Sequence, residues 1–305
     1  MFDHKTILIT GGSGFLGKAM TSYLQNKNVS VISISSSDVD LRERDETEAY
    51  FHDIEPDIVL HCAVQGGGIG WMKEHPVESG QDNLRMNINV LEASYRCGAE
   101  SFIGVSSACV YPKHAKQPYE ESQIWQGYPE PFNGPYALSK RMMMDLGRSY
   151  AKQYGFHCAF PILANLYGEG DHLSSERAHV VADLMIRAAK NPSFLTVWGT
   201  GIAEREFLHV EDAVEGILAC LQAPAGEFIN IGSGQSTSIL QLAQMILSAH
   251  NLNIPVQLDS TKPDGQLKKV LSVQKAKQLL SWEAKISLQS GLKGTAKWYR
   301  EQFAT

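Results

Sequence analysis

Two pairs of side chains near the middle of the chain could carry proton-transfer chemistry. Tyr136 and Lys140 are four residues apart, so they share one face of a helix, one turn apart. A neighbouring ammonium favours the phenolate, and such a pair can give a proton to a carbonyl that receives a hydride. Ser107 and Cys109 follow an apolar run typical of a buried strand, and an extended backbone points both side chains the same way. The hydroxyl could hold the carbonyl, whereas a lone cysteine is more often a small buried residue.

A glycine-rich segment near the N-terminus suits a dinucleotide. Thr-Gly-Gly-Ser-Gly-Phe-Leu-Gly, at 10–17, lies between a β-rich run and a helical pattern. Glycines in this setting allow a tight turn, a close approach of the backbone to a pyrophosphate, and close packing of helix on strand. The helix N-terminus adds free N–H groups and a partial positive charge. The predicted cofactor contacts in this segment are Gly11, Gly14, Phe15, Leu16 and Gly17.

The end of the second predicted strand bears on which dinucleotide binds. Enzymes that use NAD usually place an acid there for the ribose 2′-hydroxyl, whereas Ser35, Ser36 and Ser37 leave room for a phosphate. Asp38 comes one or two positions late, and Arg42 is the nearest cation in sequence. These residues favour NADP(H), with NAD(H) as the alternative, and predict that NADPH supports turnover better than NADH. The other predicted cofactor contacts are Ser35, Ser36, Asp40, Leu41, Cys62, Ala63, Tyr136 and Lys140.

The composition excludes several classes of protein. Of 305 residues, 43% are apolar and 20% charged, as in ordinary globular proteins, and the net charge of −6 argues against nucleic-acid binding. The five cysteines form no CxxC pair, which predicts neither a zinc site nor a disulfide framework. We find no signal-peptide core and no apolar run of membrane length. We therefore expect a reduced, cytoplasmic protein without a metal or a membrane partner.

Strand and helix patterns alternate through the first half of the chain. The predicted strands there are 6–10, 29–34, 57–62, 101–106 and 156–160, and the helices are 15–25, 46–52, 83–97 and 136–154. This alternation predicts an α/β, Rossmann-type, doubly wound parallel sheet. The more mixed second half has predicted strands at 195–198, 207–210, 228–231 and 256–258, and helices at 176–190, 211–223, 238–250, 273–280 and 288–303.

The second half indicates a smaller α/β domain interleaved with the first, because no linker-like stretch separates them. We expect a dinucleotide-binding domain over 1–165 plus about 206–235. The substrate domain is expected over about 166–205 plus 236–305. Ligands should lie at the carboxyl ends of the parallel strands, in the cleft between the two domains.

Together and in this order, the motifs resemble the extended short-chain dehydrogenase/reductase family of nucleotide-sugar enzymes. Within it, they resemble the branch that epimerises C3 and C5 of GDP-4-keto-6-deoxymannose and reduces C4, and the likeness runs nearly end to end. General segments that match are 64–69, 107–113, 115–118 and 135–137. The more diagnostic ones are Asn-Leu-Tyr-Gly at 165–168, the helix from His179 to Arg187, Val-Trp-Gly at 197–199, Arg-Glu-Phe-Leu-His-Val at 205–210 and Thr-Lys-Pro-Asp-Gly at 261–265.

The resemblance implies a role for each candidate residue. It makes Ser107, Tyr136 and Lys140 the reductase triad, and Cys109 and His179 the base and acid of epimerisation. It also implies an NADP(H) cofactor and a homodimer formed through the helices predicted at 83–97 and 136–154. The residues implied to hold the nucleotide-sugar are Asn165, Arg187, Trp198 and Arg205, with Lys268 or Lys269 as a further candidate.

Other interpretations stay open on the sequence alone. The strand tip lacks the basic residues usual in the family, and Ala108 replaces the second serine of its Ser-Ser-Cys motif. These departures permit a monofunctional 4-reductase or epimerase acting on another nucleotide-linked 6-deoxyhexose or heptose. A non-catalytic dinucleotide sensor is the remote alternative, since such sensors commonly lose the Tyr/Lys pair. Structurally, His179 and Arg187 could be solvated helix residues, and Trp198 could belong to the core.

Overall fold

The computed structural model describes residues 4–27, 29–174 and 178–304. Its strands are β1 (Thr6–Thr10), β2 (Ser30–Ile34), β3 (Ile58–His61), β4 (Ser101–Gly104), β5 (Ser106–Ser107), β6 (His157–Leu163), β7 (Asn165–Tyr167), β8 (Leu195–Trp198), β9 (Glu204–His209), β10 (Glu227–Ile231), β11 (Ser236–Ser238), β12 (Val256–Asp259) and β13 (Lys268–Lys269). Its helices are α1 (Phe15–Gln25), α2 (Arg44–Ile54), α3 (Ile69–Glu74), α4 (Pro76–Arg96), α5 (Gly134–Tyr154), α6 (Val180–Ala189), α7 (Val210–Ala219), α8 (Ile239–Ala249), α9 (Gln274–Leu280) and α10 (Leu288–Phe303).

A parallel sheet in the order β10-β6-β4-β3-β1-β2 forms the centre of the fold, and β5 extends it beside β6. Strand β3 is buried at every position, as expected for a sheet covered on both faces. Helices α2, α4 and α5 pack together in one layer, while α1 packs with α7 in the other. The prediction of a Rossmann-type, doubly wound α/β fold is confirmed.

The strand order reverses direction between β1 and β3. The chain runs from β1 outward to β2 and then returns to β3 on the other side of β1. The carboxyl ends of β1 and β3 therefore flank the crevice where ligands bind in such sheets. Both ends carry residues predicted to bind the cofactor.

A second buried cluster lies outside the main sheet. It joins α6, α8 and α10 through residues such as Met185, Ile246 and Tyr299. We propose that the two clusters mark the two domains predicted from the sequence. Leu271 and Trp282 belong to the cluster of the main sheet although the predicted boundary puts them in the other domain.

The structure corrects several predicted elements. Helix α4 begins at Pro76, seven residues before the predicted start at 83, and α3 was not predicted. Helix α6 begins at Val180, and positions 176 and 177 of the helix predicted there lie outside the described residues. The chain does not stay extended through Cys109, because a short 3₁₀ turn (Ala108–Val110) follows β5. In the described part of the chain, no helix is long and apolar enough to cross a membrane.

Candidate functional site

The loop between β1 and α1 leaves no room for side chains at its glycines. Gly11 adopts φ +71°, and a Cβ atom there would lie 2.8 Å from the Cα atom of Ala63 at the end of β3. A Cβ atom on Gly17 would lie 2.2 Å from the carbonyl oxygen of Gly11. Gly14 caps α1 without any side-chain hydrogen bond, so the first N–H groups of the helix are left for another acceptor. This bare cradle fits the pyrophosphate of a dinucleotide.

The other predicted cofactor contacts surround this cradle. Phe15 and Leu16 open α1, and Cys62 and Ala63 follow β3 beside it, with the Ala63 N–H donating to the hydroxyl of Thr10 over 3.2 Å. Burial raises the pKa of Cys62 to about 12, so this residue is a thiol and not a nucleophile at neutral pH. Ser35 and Ser36 lie at the open end of β2. Asp40 and Leu41 follow, and Asn89 of α4 donates to the Leu41 carbonyl over 3.0 Å.

The structure brings Ser107 and Tyr136 together. Ser107 ends β5, and its side chain lies within hydrogen-bonding reach of the Tyr136 phenol on α5. Burial raises the pKa of Tyr136, the nearby Cys109 adds to the rise, and the Ser107 hydrogen bond opposes it. Burial, and not the ammonium that the sequence suggested, therefore sets the direction of the shift in the Tyr136 pKa. Tyr136 is protonated at neutral pH, which suits a proton donor.

Lys140 lies one turn after Tyr136 and is only 2% exposed. Burial lowers its pKa from 10.5 to about 8. No carboxylate pairs with its ammonium in the described part of the chain. A buried cation without a protein counter-charge is available to polar groups of a ligand and to the charge that forms when Tyr136 gives up its proton.

A hydrogen-bonded chain that the sequence reasoning missed supports the turn of α5 that carries Lys140. His61 of β3 contacts Thr10 through Nδ1 (2.7 Å) and Asn87 through Nε2 (3.0 Å), and Asn87 donates to the Ser139 carbonyl over 3.2 Å. Burial, with the charge of Lys140, lowers the pKa of His61 to about 3. His61 is therefore neutral and positions the helix. Its only sequence signal is a histidine within an apolar strand.

A pH dependence of the reduction follows from Lys140. Because its lowered pKa is about 8, the ammonium is charged below that pH and neutral above it. Loss of the charge removes support for the Tyr136 phenolate, so we expect the rate of hydride transfer to fall as the pH rises through about 8. Single-turnover oxidation of NADPH with saturating substrate, followed over about pH 6–10, measures this. A rate that stays flat to the top of that range would contradict the role given to Lys140.

Cys109 reaches the site through a turn and not through the extended strand that the sequence suggested. The Ser107 hydroxyl accepts the Cys109 N–H (3.3 Å) and starts the 3₁₀ turn. The thiol is close enough to both Tyr136 and Tyr119 for its charge to raise their pKa values. Cys109 is partly exposed and unpaired, so it borders the same space as the phenol.

His179 directly precedes α6 without a capping side-chain hydrogen bond, and it is exposed at the surface. Desolvation by the surrounding protein lowers its pKa, and the carboxylate of Asp171 opposes that shift. Asp171 itself is buried and accepts the His172 N–H over 2.7 Å. His179 is thus a partly desolvated imidazole with a buried acid nearby, a setting that suits proton transfer.

Arg205 is a candidate cation for an anionic substrate. Its guanidinium donates only to the backbone carbonyl of Glu204 (2.8 Å), and among the described residues no carboxylate pairs with it. Burial lowers its pKa, and the phenol of Tyr119 opposes the shift. Tyr119 is thus near both Arg205 and Cys109, since the charge of each affects its pKa.

The other residues predicted to contact the substrate differ in their exposure and in whether their polar groups already have partners. Trp198 is 63% exposed, with the Lys262 ammonium 5.6 Å from its ring, so it is not a core residue. Arg187 donates to Asp183 and to the Thr196 carbonyl, and its buried Nε has no partner among the described residues. Among the others, Asn165 donates to the Glu206 carbonyl (2.8 Å), Lys268 pairs with Glu204 (2.9 Å), and Lys269 lies on β13 beside Arg205.

The motif at 261–265 holds the turn that carries Trp198, a role that the sequence did not reveal. Asp264 accepts the Thr200 N–H (2.7 Å) and hydroxyl (2.9 Å). Two residues on, Gln266 donates to the Tyr119 hydroxyl (2.6 Å) and to the Lys113 carbonyl (3.2 Å). The segment therefore links the Trp198 turn to the loop that follows Cys109.

Comparison with known proteins identifies the group to which this site belongs. Residues 7–232 match the NAD dependent epimerase/dehydratase family. The chain belongs to this family. Among curated proteins, it is 33% identical over 297 residues to GDP-L-fucose synthase of Sinorhizobium fredii, covering 96% of this chain and 94% of that protein. It is 31% identical over 310 residues to GDP-L-fucose synthase of Escherichia coli, covering 97% and 96%.

Solved structures share the fold of this chain. A GDP-L-fucose synthetase from Naegleria fowleri superposes with a TM-score of 0.88 at 30% identity, covering 100% of this chain and 96% of that one. A GDP-6-OMe-4-keto-L-xylo-heptose reductase from C. jejuni superposes with a TM-score of 0.93 at 22% identity, covering 99% of both chains. The likeness to the reductase, at that identity, establishes the fold alone.

Proposed function

We propose that this protein is an NADP(H)-dependent epimerase/reductase of the GDP-L-fucose synthase type. It exchanges protons at C3 and C5 of a GDP-4-keto-6-deoxy sugar and reduces the C4 ketone. Nearly full-length similarity to GDP-L-fucose synthases at 31–33% identity supports the reaction. The observation that carries the proposal is the meeting of Ser107, Tyr136 and Cys109 at one strand end, because reduction alone has no use for a thiol.

Two observations support NADP(H) as the cofactor. The bare glycine cradle fits a pyrophosphate, and a GDP-L-fucose synthetase from Naegleria fowleri, 30% identical to this chain, was solved bound to NADP. When bound, NADPH supplies the hydride. The protein's share of the reduction is to hold the ketone, to donate a proton to O4 and to stabilise the charge left behind.

Three residues perform these three functions. Ser107 hydrogen-bonds the ketone oxygen and orients it toward Tyr136. Tyr136, protonated because it is buried, gives its proton to O4 as the hydride arrives at C4. The Lys140 ammonium, which is buried and has no carboxylate partner in the described ranges, then stabilises the phenolate.

Epimerisation precedes reduction, because only the C4 ketone makes the C3 and C5 protons acidic. Cys109, beside the phenol that faces the ketone, removes a proton from one face of the ring. His179 returns a proton to the other face, with the buried Asp171 supporting its charged form. One base and one acid can therefore invert both centres in turn.

The substrate's diphosphate would meet cations on β9 and β13. Arg205 lacks a carboxylate partner among the described residues, so an anionic ligand can supply the counter-charge. Lys268 and Lys269 lie next to it on β13, and Arg187 offers an Nε that no described residue bonds. The exposed ring of Trp198 is suited to stack on a planar base, and the amide of Asn165 can hydrogen-bond the sugar.

A panel of substrates tests this function against its alternative. The protein is incubated with NADPH and with GDP- and dTDP-linked 4-keto-6-deoxy sugars, and products are identified by NMR. We expect NADPH oxidation and a doubly epimerised product with the GDP-linked 4-keto-6-deoxymannose. A product reduced at C4 with the original configuration at C3 and C5 would instead favour the monofunctional 4-reductase.

We also propose that the protein is a homodimer formed through α4 and α5. The two helices expose large apolar side chains, which include Val77 (64%), Tyr95 (37%), Leu138 (41%), Met142 (46%) and Tyr154 (51%). Burying such a face is favourable by roughly 25 cal/mol per Å², which supports association of two copies. A cytoplasmic location is expected in addition, supported by five unpaired cysteines.

The dimer proposal predicts the effect of one double substitution. Leu138→Glu with Met142→Glu places two charges on the exposed face of α5 without touching the buried face. We expect sedimentation equilibrium to give a dimer for the natural protein and a monomer for the variant. A natural protein that remains a monomer at tens of micromolar, or an unaffected variant, would contradict this interface.

A further inference from the structure

The segment that follows β2 carries an acid, Asp38, that already accepts the hydrogen bonds Ser35 can donate. The Asp38 carboxylate accepts the Ser35 N–H (2.8 Å) and the Ser35 hydroxyl (2.9 Å). The Ser35 hydroxyl also lies 2.7 Å from that of Ser37. The sequence suggested that the serines of this segment leave room for a phosphate. In the structure, Ser35 and Ser37 are instead bonded to each other, and Ser35 is bonded to the Asp38 carboxylate. These hydrogen bonds lower the pKa of Asp38, so it is ionised at neutral pH.

No basic side chain at the tip offsets that acid. Residues 35–41 contain neither lysine nor arginine. Arg42, the first cation after them, donates to both carboxylate oxygens of Asp40, at 2.9 Å from Nε and 2.6 Å from Nη2. Its remaining Nη1 reaches Asp82 on α4 at 3.4 Å. Arg42 is thus held by two acids and is not free to meet a phosphate.

We propose that Asp38 is a specificity-determining residue that removes most of the preference for NADPH over NADH. The inference rests on the proposed function, since it concerns the cofactor of that reaction. The end of β2 is where Rossmann-type folds receive the adenosine ribose. A 2′-phosphate there must displace the Asp38 carboxylate from Ser35 and bear its negative charge. A 2′-hydroxyl can instead donate to the same carboxylate.

Equilibrium binding without a sugar substrate tests the proposal. The fluorescence of NADPH and of NADH is titrated with the full chain, and the two dissociation constants are compared at one salt concentration. We expect them to lie within about tenfold of each other, since exposed charge interactions each contribute only up to about fivefold. Asp38→Asn should tighten NADPH binding by about fivefold and leave NADH binding unchanged or weaker.

A charge-matched control is available on α2. Asp53→Asn removes the same charge from an exposed position at the far end of that helix, and it should change neither dissociation constant. The Asp38→Glu variant retains the charge and should retain low selectivity. Together, the two variants separate the local effect of Asp38 from net charge.

The outcomes distinguish this inference from the function on which it rests. A natural protein that binds NADPH a hundredfold or more tighter than NADH overturns the specificity role of Asp38 but leaves the proposed function intact. An equal loss of affinity for both dinucleotides in Asp38→Asn also overturns it, because the residue then only shapes the turn. A natural protein that binds neither dinucleotide overturns both.

Discussion

Replacing Tyr136 with phenylalanine is expected to slow hydride transfer to C4 by about 10²- to 10⁴-fold, the usual contribution of a positioned general acid. The phenol is protonated because burial raises its pKa, and Ser107 lies within hydrogen-bonding reach of it. Phenylalanine keeps the ring and loses only the proton donor. Binding of NADPH should be preserved, because the glycine cradle and Lys140 are unchanged.

Single-turnover oxidation of NADPH, read by absorbance with saturating substrate, measures the loss. Tyr154→Phe is the matched control, since this tyrosine ends the same helix and is 51% exposed. It should react at the rate of the natural protein. Near-normal reduction in Tyr136→Phe would remove the phenol from the mechanism.

Cys109→Ser is expected to separate the two half-reactions. Serine fits the space of the thiol, but its hydroxyl is a far weaker acid and cannot act as a base near neutral pH. Exchange of solvent deuterium into C3 and C5 should therefore nearly cease. Reduction of a 4-keto sugar without inversion should continue, since Ser107, Tyr136 and Lys140 are intact.

The assay for this variant is turnover in D₂O with the label located by NMR. Cys97→Ser is the control, because Cys97 directly follows α4 and its thiol donates to the Ser94 carbonyl over 3.3 Å, away from the end of β5. Its deuterium incorporation should equal that of the natural protein. If Cys109→Ser incorporated deuterium normally, Cys109 would be a small residue that fills a strand end.

Local patterns were enough to predict the cofactor half of the fold. The run of apolar residues in β1 ends directly at Gly11, and α1 begins at Phe15 as its spacing indicates. Both features depend only on residues that are close in sequence. The same is true of the glycine turn between them and of the four-residue spacing of Tyr136 and Lys140 on one helix. Features of this kind need no tertiary information.

Helix α4 shows why the start of an element was misplaced. Its buried face begins with Ser79, Asn83 and Asn87, which recur every four residues but are polar. Asn83 lies in the middle of the helix, not at its start, and bonds the backbone N–H (3.0 Å) and carbonyl (2.7 Å) of Gln65. Hydrophobic periodicity cannot locate the start of a helix whose inward positions there are polar and are used to hold loops and a histidine.

The candidate site likewise depends on contacts between distant segments. The direction of Cys109 is set by a hydrogen bond that turns the chain after Ser107, which residue spacing does not record. Arg42 is bonded to Asp40 nearby in sequence, but its further contact with Asp82, forty residues away, could not be read from the sequence. The identities of the candidate residues could be predicted from the sequence, but their orientations and partners could not.

One reaction tests the central claim most directly. The natural protein is supplied with NADPH and GDP-4-keto-6-deoxymannose in D₂O, and the product is analysed by NMR. Our account predicts one NADPH oxidised per product, a hydroxyl at C4, and deuterium at both C3 and C5 with inverted configuration. A product reduced at C4 but free of deuterium at C3 and C5, or no oxidation of NADPH at all, would contradict it.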